Sequence, residues 1–211
     1  MPIFHHTKTH GRFFFIHVPR TAGRFLRENF KRNGYKIEHH LTKKILKEKK
    51  EMDEYTWTSL EGVEIPHLHY SLYSKWKNIK GIPFIAIIRN PIDRFFSGSF
   101  YFSPRFNFIQ SSFEDWTSFQ NILSEYMCIN ANNWWRPQHE FVSPHTKIWK
   151  YEKGFGKNFC AWINKILPID ISIKTQDYLK DVYDYPGLRK TEALINNIKK
   201  FYRKDFEDFD Y

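Results

Sequence analysis

Phe84-Ile85-Ala86-Ile87-Ile88-Arg89-Asn90-Pro91-Ile92-Asp93-Arg94-Phe95-Phe96-Ser97 decides the fold. Its first residues are a continuous apolar run rich in β-formers, the pattern of a strand buried on both faces. Asn90 suits a helix cap, Pro91 the first helical position and Asp93 the positive helix end, so a helix follows at once. An earlier stretch repeats the plan: Phe13-Phe14-Phe15-Ile16-His17-Val18-Pro19-Arg20-Thr21-Ala22-Gly23-Arg24-Phe25-Leu26. There residues 13–18 read as a strand and residues 19–23 as a turn. Ala22, Leu26 and Phe30 recur at four-residue spacing along one helix face. A strand–turn–helix junction aims backbone N–H groups and a positive helix end at one spot, which suits phosphate or sulfate. Both junctions also carry arginines, so the pair points to a ligand with two separated anionic groups.

The remaining elements alternate in the same manner. Asn33-Gly34 reads as the turn that ends the first helix, and residues 35–39 as a second strand. Residues 42–54 are dense in lysine and glutamate and read as an exposed helix or a mobile segment. Residues 62–70 look like a strand leading into a loop, 113–126 a helix, 147–151 a strand and 155–166 a helix. Leu194, Ile195, Ile198, Phe201 and Tyr202 mark an amphipathic helix. Strands alternating with helices predict an α/β fold with a central parallel sheet covered on both faces. The whole chain reads as one domain, with residues 1–11 a flexible tail. His5, His6 and His10 then belong to a loose tail rather than a metal site.

The 211 residues suffice for one domain with a real core, and 19% aromatic with 41% hydrophobic residues argues against disorder. A formal net charge of +10 favours polyanionic partners: nucleotides, nucleic acid, acidic glycans or an anionic membrane. It is equally what keeps a protein soluble. Cys128 and Cys160 form no CxxC pair and no disulfide framework, which fits core thiols in a reducing compartment. No apolar run reaches membrane-spanning length and no leader pattern opens the chain, so the expectation is a soluble cytoplasmic protein without a membrane span.

At the first turn, Ala22 and Gly23 let an anion approach the backbone, and Arg20 and Arg24 offer forked charged donors. GxxxxGK[ST] is absent, which disfavours an ordinary ATPase or kinase. The run Pro19-Arg20-Thr21-Ala22-Gly23-Arg24 resembles the 5′-phosphosulfate loop of sulfotransferases that use 3′-phosphoadenosine 5′-phosphosulfate (PAPS), written P-K-T-A-G-T in the glycan-modifying branch. Arg20 stands for the usual lysine and Arg24 for the final threonine. Arg89 and Ser97, spaced R-x7-S, resemble the 3′-phosphate site of the same enzymes. Gly98 lets another element pack close. For Arg94 the readings are an ion pair with Asp93 or Asp115, or exposure to solvent.

Pro66-His67-Leu68-His69-Tyr70 is similar to the G-H-x-x-Y stretch of glycan sulfotransferases, which places the family's proposed base at His67 and its tyrosine at Tyr70. His69 is a rival, since alternate residues of a strand share a face. His17 reads as a packed core residue. Asn133-Trp134-Trp135-Arg136-Pro137-Gln138 resembles the branch's H-W-x-P-Q stretch, with Trp134 where histidine is common. Aromatic faces with a neighbouring arginine suit a sugar; a core tryptophan beside a turn is the competing reading. Residues 148–152, ending in Tyr151-Glu152, and residues 202–211 are similar to the family's later strand and its C-terminal pattern.

The resemblance runs from about residue 12 to the end and extends to heparan sulfate 2-O-sulfotransferase-like enzymes. It implies a three-layer fold like that of P-loop NTPases. It implies transfer of a sulfuryl group from PAPS to an acceptor hydroxyl, most simply of a carbohydrate, releasing adenosine 3′,5′-bisphosphate (PAP) without a metal. Residues 19–25 (Pro19, Arg20, Thr21, Ala22, Gly23, Arg24 and Phe25) would hold the 5′-phosphosulfate, and Arg89 and Ser97 the 3′-phosphate. His67 would be the base and Arg20 would stabilise the leaving group, with His69, Tyr70, Trp135 and Arg136 toward the acceptor. The expected partners are the nucleotide donor and a glycan, and no nucleic acid. Two rivals differ in kind: a kinase-like phosphotransferase with a degenerate loop, dependent on Mg²⁺ and ATP, and a non-catalytic polyanion or nucleic-acid binder with steep salt dependence.

Overall fold

Each apolar run expected to be a buried strand pairs with another at the centre of one sheet. The structure, a computed structural model, describes residues 2–40, 67–74, 79–102, 109–127, 133–167, 171–173 and 188–211. Its strands are β1 (Pro2–His6), β2 (Arg12–Ile16), β3 (Tyr35–His40), β4 (Phe84–Ile88) and β5 (Lys147–Lys150), in the order β3-β1-β2-β4-β5. Its α-helices are α1 (Gly23–Arg32), α2 (Tyr70–Tyr73), α3 (Pro91–Phe102), α4 (Gln110–Glu114), α5 (Trp116–Met127), α6 (Lys157–Asn164), α7 (Glu192–Phe201) and α8 (Arg203–Phe209). Residues 42–54 and 62–66 lie outside the described residues, as does Cys128; Cys160 is a half-buried free thiol.

The expected parallel sheet is a mixed one. β2 is parallel to β4 and β4 to β5, while β1 is antiparallel to both β2 and β3. β1 lies in the stretch expected to be a tail. Ile3 and Phe4 are its only large apolar residues, too few for a visible period, yet both are fully buried. Phe4 stacks on Phe13 at 5.0 Å, and Ile3 sits opposite Phe14. A short connection from His6 to Arg12, closed by His6 N–H donating to the Gly11 carbonyl at 2.8 Å, can only return the chain antiparallel.

Side chains alternate across the sheet, and both faces are covered. Ile3, Phe14, Ile16 and Ala86 pack on one side with Leu68, Tyr73 and Phe141. Phe13, Phe15, Ile85 and Ile87 pack on the other with Leu26 and Phe30 of α1 and Phe159 and Ile163 of α6. Each buried Ile, Leu or Phe side chain among these contributes about 1.5–3 kcal/mol. A further cluster joins Phe95 and Phe96 of α3 to Phe113, Phe119, Leu194 and Ile198, with Trp135 at its heart. The helix expected over residues 113–126 is two helices, because Asp115 adopts an extended conformation and its carboxylate accepts from Ser118 N–H at 2.8 Å, capping α5. No helix among the described residues is long and apolar enough to cross a membrane.

Candidate functional site

β2 feeds α1, which leads to β3 on one side, while β4 lies on the other side of β2. The order of the sheet therefore reverses between β2 and β4. In open α/β sheets ligands bind at such a point, outside the carboxyl ends of the strands. Both arginine-bearing turns open here.

In the first turn Arg20 and Ala22 have φ of 65° and 66°, while Thr21 and Gly23 do not share the positive sign. Left-handed backbone at two non-glycine residues costs about 1–3 kcal/mol each and is kept where structure or function demands it. Alternating φ sign is the backbone pattern from which anion-binding nests are built. Ala22 caps α1 with no side-chain hydrogen bond, and no acidic residue occupies the first turn of that helix. Pro19 is buried. Thr21 Oγ1 donates to the Val18 carbonyl at 2.8 Å, so its hydroxyl hydrogen is spent closing the turn. Arg24 is exposed at the start of α1, and Phe25 packs on Phe155 at 5.4 Å. His17, expected in the core, is half-buried with its ring against Gly23, where a Cβ would fall 1.9 Å from Nε2.

At the second turn Asn90 caps α3 as expected, its Oδ1 accepting from Ile92 N–H at 2.9 Å. Arg89 is 6% exposed and its guanidinium carbon lies 4.4 Å from the centre of the Tyr151 ring. Its Nη1 donates to the Arg20 carbonyl at 3.5 Å, which ties the two turns together. No carboxylate among the described residues pairs with this guanidinium. Ser97 is fully buried, and its Oγ accepts from Arg20 Nε at 3.0 Å. The sequence reading sends Arg20 and Ser97 to opposite ends of a donor; the structure puts them in contact, because Arg20 reaches from the turn after β2 to α3.

The buried amide of Gln138 makes two hydrogen bonds to the main chain of Arg89: Arg89 N–H donates to Oε1 at 2.9 Å, and Nε2 donates to the Arg89 carbonyl at 2.7 Å. Asp205, fully buried, accepts from the N–H groups of Gln138 and His139 at 2.7 and 2.9 Å. Glu152 accepts from Asn90 N–H at 2.6 Å. These partners are 49 and 62 residues away in sequence, and no local pattern announces them.

His67 is 6% exposed, edge-on to His17 at 4.6 Å and to Trp134 at 5.7 Å. Asn133 Nδ2 donates to its carbonyl at 2.9 Å. Trp134 also lies 5.6 Å from the guanidinium carbon of Arg20, so this half-buried ring spans the first turn and His67. Its place at the site was masked by its neighbour. Trp135, expected at the acceptor, is 1% exposed, stacks on Phe95 at 5.7 Å and fills the space left by Gly98, where a Cβ would lie 2.8 Å from its Nε1. It is a core residue. Arg136 Nε donates to Asn133 Oδ1 at 2.9 Å, and its guanidinium is ion-paired with Glu140, so it braces the Asn133 turn. Arg94 pairs with neither Asp93 nor Asp115; it is buried, with Nη1 and Nη2 donating to the carbonyls of Trp134 and Arg136 at 3.2 and 2.8 Å.

Tyr70 is exposed with its ring against Tyr73 at 5.4 Å. His69 precedes α2, with Nδ1 2.8 Å from Ser71 Oγ. Burial, and secondarily the charge of Arg136, pull its pKa down from 6.5 to about 4. An unfolded chain then takes up this proton first, so His69 lowers stability progressively as pH falls from about 6.5 toward about 4. His69→Gln should show a weaker loss of stability than wild type between pH 7 and 5, read by urea unfolding; identical loss in both proteins would contradict a half-buried ring held neutral.

No protein-family model matches the chain, and no curated protein or solved structure is significantly similar to it.

Proposed function

We propose that this chain is a PAPS-dependent sulfotransferase that sulfates a carbohydrate hydroxyl, built on an arrangement like that of P-loop NTPases. The observation that carries the reading is Arg89. A buried guanidinium normally has an anionic partner, and this one is held without a described carboxylate beside a nest-shaped turn. An external dianion completes it.

The 5′-phosphosulfate would lie on the main chain of residues 19–25 at the start of α1. The 3′-phosphate would lie between Arg89 and Ser97, with Arg20 moving from Ser97 toward the bridging oxygen. The acceptor oxygen attacks sulfur as His67 takes its proton. The sulfur–oxygen bond to the 5′-phosphate breaks, PAP leaves with the bonding electrons, and the nest and Arg20 stabilise the charge that builds on it. Trp134, against His67 and Arg20, offers a ring face on which a sugar can stack. His69 and Tyr70, which follow His67 closely in the chain, would flank that approach.

The test is transfer of label from [³⁵S]PAPS to a panel of oligosaccharides. Labelled product with stoichiometric PAP is the expected result. ATP turnover with Mg²⁺ and no reaction with PAPS would favour the phosphotransferase. Salt-sensitive binding of any polyanion without turnover would favour a non-catalytic binder.

A further inference from the structure

We infer that Gln138 and Glu152 are positioning residues that hold the Arg89 turn in its bisphosphate-gripping shape before the ligand arrives, an inference that rests on the donor assignment above.

The turn is held from two sides by different elements. On one side the Gln138 amide pairs with both main-chain groups of Arg89, as a neighbouring strand would, and Gln138 is itself anchored through its N–H to buried Asp205 on α8. On the other side, one short 3₁₀ turn, Tyr151–Lys153, meets Arg89 and Asn90 together. Its Tyr151 ring lies beneath the Arg89 guanidinium, and its Glu152 Oε1 accepts from Asn90 N–H. Glu152 Oε2 accepts from Tyr211 Oη at 2.8 Å. Tyr211 is in turn packed under Lys150 Nζ at 4.6 Å from its ring centre, and Lys150 donates to the Asp210 carbonyl at 2.9 Å. The carboxylate beside Tyr211 pushes its pKa further up, after burial as the larger cause, so the phenol keeps the proton it donates.

An arginine at the end of a strand has many rotamers, and ordering it on binding weakens affinity. Here the main chain on each side and the place of the guanidinium over the Tyr151 ring are set in advance. Ser97 stays fixed on α3, whose first turn begins at the same clamped residues. Both Glu152 carboxylate oxygens are engaged, one by Asn90 and one by Tyr211. Glu152 acts through Asn90, and its loss should affect recognition of the 3′-phosphate while leaving the rest of the nucleotide site alone.

Gln138 is fully buried and its removal would unsettle the fold, so Glu152, at the surface, is the residue to vary. Affinities for PAP and ADP are measured by calorimetry, with thermal unfolding alongside. Glu152→Ala should weaken PAP about tenfold and ADP less than about twofold, the loss expected for a charge-assisted hydrogen bond. Glu152→Gln, whose amide oxygen still accepts from Asn90, should recover most of the difference, and Tyr211→Phe should fall between. Glu152→Ala binding PAP like wild type, or losing PAP and ADP in equal proportion, would overturn the inference while leaving the donor assignment standing. Wild type with no preference for PAP over ADP would overturn both.

Discussion

Arg89→Ala is expected to lower affinity for PAP about 100-fold and to leave ADP within about threefold, the scale of a lost forked, charge-assisted contact. The side chain is 6% exposed, and its main chain is clamped by Gln138, so removing the guanidinium leaves a formed hole with no cation to replace it. ADP has no 3′-phosphate and should not register the change. No ion pair with a described residue is broken, so the fold should persist. Lysine at this position should recover little, because an ammonium neither spreads its charge over the Tyr151 ring as a planar guanidinium can nor donates in a fork. Equal losses for PAP and ADP would mean that Arg89 supports the structure rather than recognising one phosphate.

His67→Ala is expected to lower sulfuryl-transfer turnover about 10²–10⁴-fold, the usual contribution of a positioned general base, with PAP affinity within about twofold. The ring stands against His17, which itself packs on Gly23 at the start of α1, so it borders the place where the transferred group would sit. Its backbone is fixed by Asn133, which separates the loss of the imidazole from a loss of loop shape. Initial rates with labelled PAPS at saturating acceptor decide it. Unchanged turnover in this variant would clear His67 and pass the base to His69. His69 is a weaker candidate: its pKa of about 4 leaves it neutral but with little appetite for a proton.

What was legible in the sequence follows from range. β4 and α3 were plain because their signals are local: an unbroken apolar run, then Asn90 and Pro91. The same holds for β2, α1 and the turn at Asn33 and Gly34, where Gly34 takes a φ of 84°. β1 was not, since its burial is supplied by two neighbouring strands and not by its own composition. The break at Asp115 was written as a capping residue but hidden inside an apolar period. At the site, the residues that would touch a donor sit within two short segments and could be named. The residues that hold them lie in stretches the resemblance covers, but their part could not be read there: Gln138 and Glu152 reach the second turn from distant parts of the chain, and Asp205 in turn holds Gln138. Trp134 and Trp135 carry the same side chain in adjacent positions, and only the packing of α3 through Gly98 tells which one is buried.

Calorimetry of the unaltered protein with adenosine 3′,5′-bisphosphate and with ADP, side by side in one buffer, asks whether two linked turns grip two phosphates of one nucleotide. Paired grips predict that the bisphosphate binds about 100-fold more tightly. Indistinguishable affinities would contradict them.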